Sequence, residues 1–132
     1  MLIRSGRIGN AKRVRYVLFV LLGVGGLLAK GWLSDDLPEF VFSYAGNFAV
    51  SFSVYFIVQL ATDGRFHKIL SAAGAMFIVG IFEVTDGFGV MANVYDPIDL
   101  LADALGIIIA VSVDVITDRD NRTPKSRKLF TR

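Results

Sequence analysis

The sequence predicts an all-α, polytopic membrane protein: four transmembrane helices in an antiparallel bundle, with the N- and C-termini cytoplasmic. Three observations carry this. Hydrophobic residues make up 54% of the 132, and the mean hydropathy is +0.57. Residues 16–117 therefore offer too little polar surface for a soluble domain of that size. The apolar residues also gather in four runs without period-two alternation, and an isolated strand cannot span lipid, so the runs read as helices. Finally, 13 of the 14 Lys and Arg lie in the N-terminal segment up to Arg15, in the connection 62–68, or after the fourth run. By the positive-inside rule that side is the cytoplasm.

The first run, residues 14–33, has an uninterrupted apolar core from Tyr16 to Ala29 and follows a basic segment, residues 1–15. It has the outline of a signal peptide, but "GLLAKGW" lacks a small-residue cleavage site, so the run is expected to stay. "GVGG", residues 23–26, falls in mid-span and reads as a helix-packing patch. The second run, 39–61, is long enough to cross a hydrocarbon core of roughly 30 Å. Before it, "DLPE" reads as an acid-capped helix start. The third run covers 68–85 and the fourth 98–117. The first, third and fourth are close to the lower limit of about 17 residues and need polar ends or tilt. Short connections make successive helices antiparallel neighbours. His67 lies in the inner connection and reads as a solvated loop residue. The tail, 118–132, is polar and basic and is expected to lie on the lipid head groups. Residues 16–117 thus form the transmembrane domain between two basic cytoplasmic segments.

The chain has no cysteine, which excludes disulfides and thiolate metal sites. No nucleic-acid motif is present, and membrane lipids are the expected partners of the basic segments.

The acids gather on the other side. "FEVTDGFGVMANVYDPIDLLADALG", residues 82–106, holds Glu83, Asp86, Asp96, Asp99 and Asp103 without a Lys or Arg. Asp96 reads as an N-cap, with Pro97 at the first helical position and Asp99 in the first turn, where a carboxylate meets free N–H groups. For Asp99 the capping and functional readings stay open. Glu83 and Asp103 lie deeper. A mid-membrane Asp costs roughly 2.5–3.5 kcal/mol, so neither should face lipid. Asp99, Asp103, Gly106, Ala110 and Asp114 follow helical spacing along the fourth run. Tyr44, Asn47, Ser51 and Tyr55 do the same along the second, and "SAAGA" with Gly80 permits close approach in the third. The second, third and fourth helices are therefore expected to meet around a polar pocket on the outer side. Interhelical packing by itself would explain Tyr44, Ser51 and Tyr55, whereas Glu83 and Asp103 point to function.

Converging carboxylates cannot all stay ionised, which makes a protonatable pair or a cation site. All-oxygen ligands from Glu83, Asp99 and Asp103 would suit Mg²⁺ or Ca²⁺. No Ser-His-Asp set and no phosphate-cradling loop can be assembled, so no catalytic residue is assigned.

The order of these features resembles the VanZ-like family of small bacterial membrane proteins. Glu83 matches its helix-ending Glu, Asp99 with "LLA" the start of its last helix, and Gly106 that helix's glycine. Asp103 replaces the usual Asn, and Asp86 the usual Gln. The loop lacks the common Arg, and the first half lacks the family's Asp-Lys and His-Phe pattern. The likeness covers roughly residues 69–112 plus the four-span plan. It implies a bacterial cytoplasmic (inner) membrane location and a cell-envelope role without a defined chemical activity.

Two functions follow. One is a non-enzymatic envelope protein whose outward carboxylate pocket (Glu83, Asp99, Asp103, with Asn47 and Tyr44) binds a polar lipid, glycan, cation or partner. The other is a small homo-oligomeric proton-coupled transporter or ion channel, with Glu83 and Asp103 exchanging protons and Asp114 extending the route. A metal-dependent lipid enzyme lacks a general-base histidine and a phosphate clamp. An assembly subunit with an acidic rim is the plainest alternative.

Overall fold

The chain is all-helical in a computed structural model that describes residues 8–32, 38–85 and 97–120. Helix α1 spans Asn10–Trp32, α2 Glu39–Ala61, α3 Lys68–Val84 and α4 Pro97–Asp120. Two helices extend past the apolar runs. α1 begins early enough to carry Lys12, Arg13 and Arg15, and α4 continues through Asp118. These charged turns are held helical by pairing with one another across the bundle.

The helix ends differ in detail from the sequence expectation. Pro38 takes the N-cap position of α2 without a side-chain cap, and Glu39 stands in the first turn, where the helix dipole favours a carboxylate. Asp36 lies outside the described residues, as do Asp86 and Asp96. Pro97 opens α4 and Asp99 occupies its first turn. His67 is not a free loop side chain: it is the N-cap of α3, and its Nδ1 accepts from the Ile69 N–H at 3.5 Å.

Between α2 and α3 the chain reverses through Asp63 and Gly64, both with positive φ (52° and 68°). The Gly64 N–H donates to the Gln59 carbonyl at 2.8 Å, closing the end of α2. A Cβ on Gly64 would overlap the Ile8 side chain, and the Ile8 N–H donates to the Asp63 carbonyl at 3.3 Å. Ile8, just before α1, thus packs onto this turn.

α2 is central: it packs against α1, α3 and α4, and α3 packs against α4 as well. Successive helices are antiparallel. The start of α1 meets the end of α2 through Arg13 and Asp63, and the start of α3 meets the end of α4 through Lys68 and Asp118. Two glycines set the closest approaches. A Cβ on Gly23 of α1 would overlap Ser53 of α2, and one on Gly106 of α4 would overlap Ser51 of α2. Of the "GVGG" patch only Gly23 packs in this way; Gly25 and Gly26 face open space. Aromatic rings fill the α1–α2 seam around Phe56, with centroids 5.4 Å from Tyr16, 4.9 Å from Phe19 and 5.2 Å from Phe52.

The outer surface departs from the usual soluble pattern. Ser51, Ser53, Gln59, Ser71, Asp103 and Asp114 are buried, while Leu22 (66% exposed), Phe77 (69%) and Ile108 (58%) represent apolar outer faces present on all four helices. Tyr44–Ala61 of α2 and Pro97–Arg119 of α4 are long and apolar enough to cross a membrane. Buried polar groups thus sit beside a hydrophobic core of Tyr16, Phe52, Tyr55, Phe56, Ala75, Val79, Ile107 and Ala110, and an apolar outer surface of this extent weakly suggests membrane association.

Candidate functional site

Two polar layers lie on the same inward face of α4, one near each end. The first is at the acidic end, where the sequence places a pocket. Asp103 is 2% exposed, and its Oδ2 has no hydrogen-bond partner among the described residues. Glu83 of α3 and Asp99 of α4 are its electrostatic neighbours, so three of the expected carboxylates do share one neighbourhood. The contact of Ser51 with Gly106 sets the register of α2 against α4. Asn47 and Tyr44, both half-buried, lie one and two turns further toward the acidic end, at the level of Asp103 and Asp99. Among the described residues no group of three or more His, Asp or Glu side chains stands close enough together to hold a metal ion.

The second layer lies at the basic end and was not anticipated as a site. Asp114 is fully buried. Its Oδ1 accepts from the Tyr16 hydroxyl at 2.8 Å, and its Oδ2 from the Tyr55 hydroxyl at 2.7 Å. Lys68 Nζ stands 2.8 Å from Oδ2, and Arg15 Nη2 3.7 Å from Oδ1. Gln59 Nε2 donates to the Tyr55 oxygen at 3.1 Å. One turn on, Asp118 accepts from Arg15 at 2.6 Å, Lys68 at 2.7 Å and Lys12 at 3.0 Å. Lys12 and Arg15 also lie over the Tyr16 ring, 5.5 and 5.6 Å from its centroid. Arg15 is anchored further by donating from Nη1 to the Thr117 carbonyl at 3.4 Å.

This network ties all four helices to two carboxylates. α1 and α4 do not approach closely through their backbones, so the long Lys12, Arg15 and Tyr16 side chains bridge them. It also relocates one expected residue. Tyr55, placed by sequence on the face of the outer pocket, bonds a carboxylate, but that carboxylate is Asp114. Asp114 itself has its oxygens engaged by four side chains. The signal in the sequence was the i, i+4 pair Asp114 and Asp118 opposite Lys12, Arg15 and Lys68, three cations in the first two turns of α1 and the first turn of α3.

The layer between is packed. Asp103 and Asp114 are roughly 16 Å apart along the helix axis at about 1.5 Å per residue. Gly106 presses on Ser51 there, and Ile107 and Ala110 are buried. The Ser51 hydroxyl donates back to the Phe48 carbonyl at 3.0 Å, leaving it bound within its own helix. A shallow depression at the basic end, lined by Ala61, Thr62, Asp63, Arg65 and Phe66, is open to the surroundings.

No family model, no curated protein and no solved structure matches the chain.

Proposed function

We propose that this chain is a non-enzymatic, multi-pass protein of the bacterial cytoplasmic membrane that binds a polar ligand in an outward-facing pocket at Asp103. Four spans with both termini cytoplasmic would put the Lys12, Arg15 and Lys68 end inside and the Glu83, Asp99 and Asp103 end outside. Support for the four-span plan comes from the apolar outer faces of all four helices and the cation asymmetry of the sequence. The VanZ-like pattern of Glu83, Asp99, "LLA" and Gly106 rests on those residues alone, and an envelope role follows from it by analogy.

One observation carries the binding reading: a carboxylate oxygen buried at Asp103 without a partner among the described residues. Arg15 Nε and Ser71 Oγ are also buried without a partner among the described residues, but of the three only Asp103 is an ionisable acid among other acids, and ionisable groups within a membrane mark functional sites. Asn47 and Tyr44 stand at the right level to line the same pocket. The packed layer around Gly106, Ile107 and Ala110 favours binding over conduction through a single chain.

Two measurements test this. The chain has no native cysteine, so single cysteines at Ser34 and Thr123 report topology by thiol labelling. Outside labelling at Ser34 alone agrees with the proposal; labelling of both from one side sinks the four-span plan. The second is thermal stability of wild type, Glu83→Gln and Asp103→Asn across divalent cations, amines and pH. Responses unchanged by either substitution would remove the pocket from consideration.

A further inference from the structure

We propose that the depression at the α2–α3 turn seats the phosphate of an anionic phospholipid, with Arg65 as its donor. The inference rests on the membrane reading proposed above and is independent of the Asp103 pocket. The depression has a volume of about 500 Å³ and is lined by Ala61, Thr62, Asp63, Arg65 and Phe66. Most of the described cations at this end of the bundle are already committed. Lys12, Arg15 and Lys68 pair with Asp118, and Arg13 pairs with Asp63 at 2.7 Å. Arg65 is exposed and makes no ion pair with any described residue, and the same is true of Arg119 on α4.

The other donors of the wall are spent. The N–H groups of Thr62, Asp63, Gly64 and Arg65 donate to the carbonyls of Val58, Leu60, Gln59 and Thr62. The Thr62 hydroxyl donates to the Val58 carbonyl at 2.8 Å. Asp63, the acid on the wall, has its charge offset by Arg13. What remains is one guanidinium, a permanently charged planar fork whose N–H groups match two phosphate oxygens at once. The surroundings favour an anion that carries a tail. Ala61 lines the depression, and Ile57 and Val50 continue from it at helical spacing along an exposed apolar face of α2. An acyl chain would cover that strip while its phosphate sat at Arg65. A free phosphate would leave the strip bare.

The full chain is purified in an uncharged detergent, and lipid binding is followed by native mass spectrometry and by the unfolding midpoint. The probes are phosphatidylglycerol, which is anionic, phosphatidylcholine, which is zwitterionic, and glycerol 3-phosphate, which has no tail. Phosphatidylglycerol is expected to bind wild type more tightly than phosphatidylcholine and to raise the midpoint. Arg65→Gln should weaken phosphatidylglycerol by about tenfold or more, as loss of a charged hydrogen-bond donor does. Arg119→Gln removes an equal charge outside the depression and should cost no more than about fivefold, the worth of one cation near an anionic surface. Neither substitution breaks a pair, so both variants are expected to fold, and circular dichroism checks this first.

Equal losses in the two variants would mean diffuse attraction to a basic surface and overturn the site. Binding unaffected by Arg65→Gln would do the same. Equal binding of phosphatidylcholine would overturn the need for net negative charge. An Arg65-dependent shift with glycerol 3-phosphate alone would overturn the lipid as occupant. A chain that stays helical and monodisperse without detergent would remove the membrane reading itself, whereas a detergent-dependent chain without an Arg65 effect loses only this site. Asp103→Asn should leave phosphatidylglycerol binding unchanged, so the two sites stand or fall separately.

Discussion

Tyr55 donates its hydroxyl to Asp114 across 2.7 Å, and neither residue is exposed. That bond fixes the central helix α2 to α4 at a level where α1 and α3 also arrive. Tyr16 supplies the second hydroxyl to the same carboxylate, and Lys68 and Arg15 supply its charge balance. A buried carboxylate is tolerable only when paired and hydrogen-bonded, and Asp114 has both kinds of partner.

Asp114→Asn should therefore be the most destabilising single substitution in the bundle. It keeps the shape but leaves Lys68 and Arg15 facing a neutral amide. Breaking a buried pair by removing one partner typically costs about 3–5 kcal/mol. Detergent- or denaturant-induced unfolding followed by circular dichroism would read the loss. A change under about 1 kcal/mol would mean that Asp118 carries the charge balance alone.

The two tyrosines should behave as parts of one unit. Each Tyr→Phe change removes a hydrogen bond to a charged group, worth about 1.5–3 kcal/mol. Tyr16→Phe and Tyr55→Phe together should depart from additivity, since both hydroxyls serve one carboxylate. The double-mutant cycle in the same unfolding assay measures that coupling. Strict additivity would show that each hydroxyl acts independently of the other.

Glycines of similar appearance should divide sharply. A Cβ on Gly106 would overlap the Ser51 hydroxyl and crowd the Phe48 carbonyl. Gly106→Ala should thus force α2 and α4 apart and destabilise by about 1–3 kcal/mol, as overpacking does. Gly26 of α1 faces open space, so Gly26→Ala should stabilise by up to about 1 kcal/mol through helix propensity. Comparing the two unfolding midpoints is enough. Equal effects would mean that the Gly106 contact yields without cost.

The helices and their order were legible because hydropathy and turn residues act locally. The run 39–61 coincides with α2, and the runs at 68–85 and 98–117 lie within a few residues of α3 and α4. The inward face of α4 was also legible: Asp103, Gly106, Ala110 and Asp114 share one stripe and all are buried. What could not be read was the partner of each polar group. Tyr44, Asn47, Ser51 and Tyr55 form one stripe, yet Ser51 bonds its own helix while Tyr55 reaches Asp114. Periodicity gives the face and leaves the depth at which two faces meet undetermined. The Lys12, Arg15 and Lys68 cluster was hidden for a related reason. Positive-inside counting treats such residues as solvated flanks, and only tertiary contact turns three of them inward onto Asp114 and Asp118.

The two carboxylates of α4 should respond in opposite directions to the same chemical change. Asp103 Oδ2 is buried without a donor among the described residues, so wild type carries the desolvation of that group without a compensating bond from them. Asp103→Asn removes the charge, keeps the volume and breaks no hydrogen bond to that oxygen. In the absence of ligand it should leave stability unchanged or raise it by about 1–3 kcal/mol, the usual cost of an unsatisfied buried polar group. Asp114→Asn, eleven residues on along the same face, should lower stability. If Asp103→Asn instead loses as much as Asp114→Asn, the outer acid is an ordinary packing group, and Glu83 or Asp99 becomes the residue to test next. A neutral or stabilising result marks Asp103 as a group retained against the interests of folding, as expected of a binding residue.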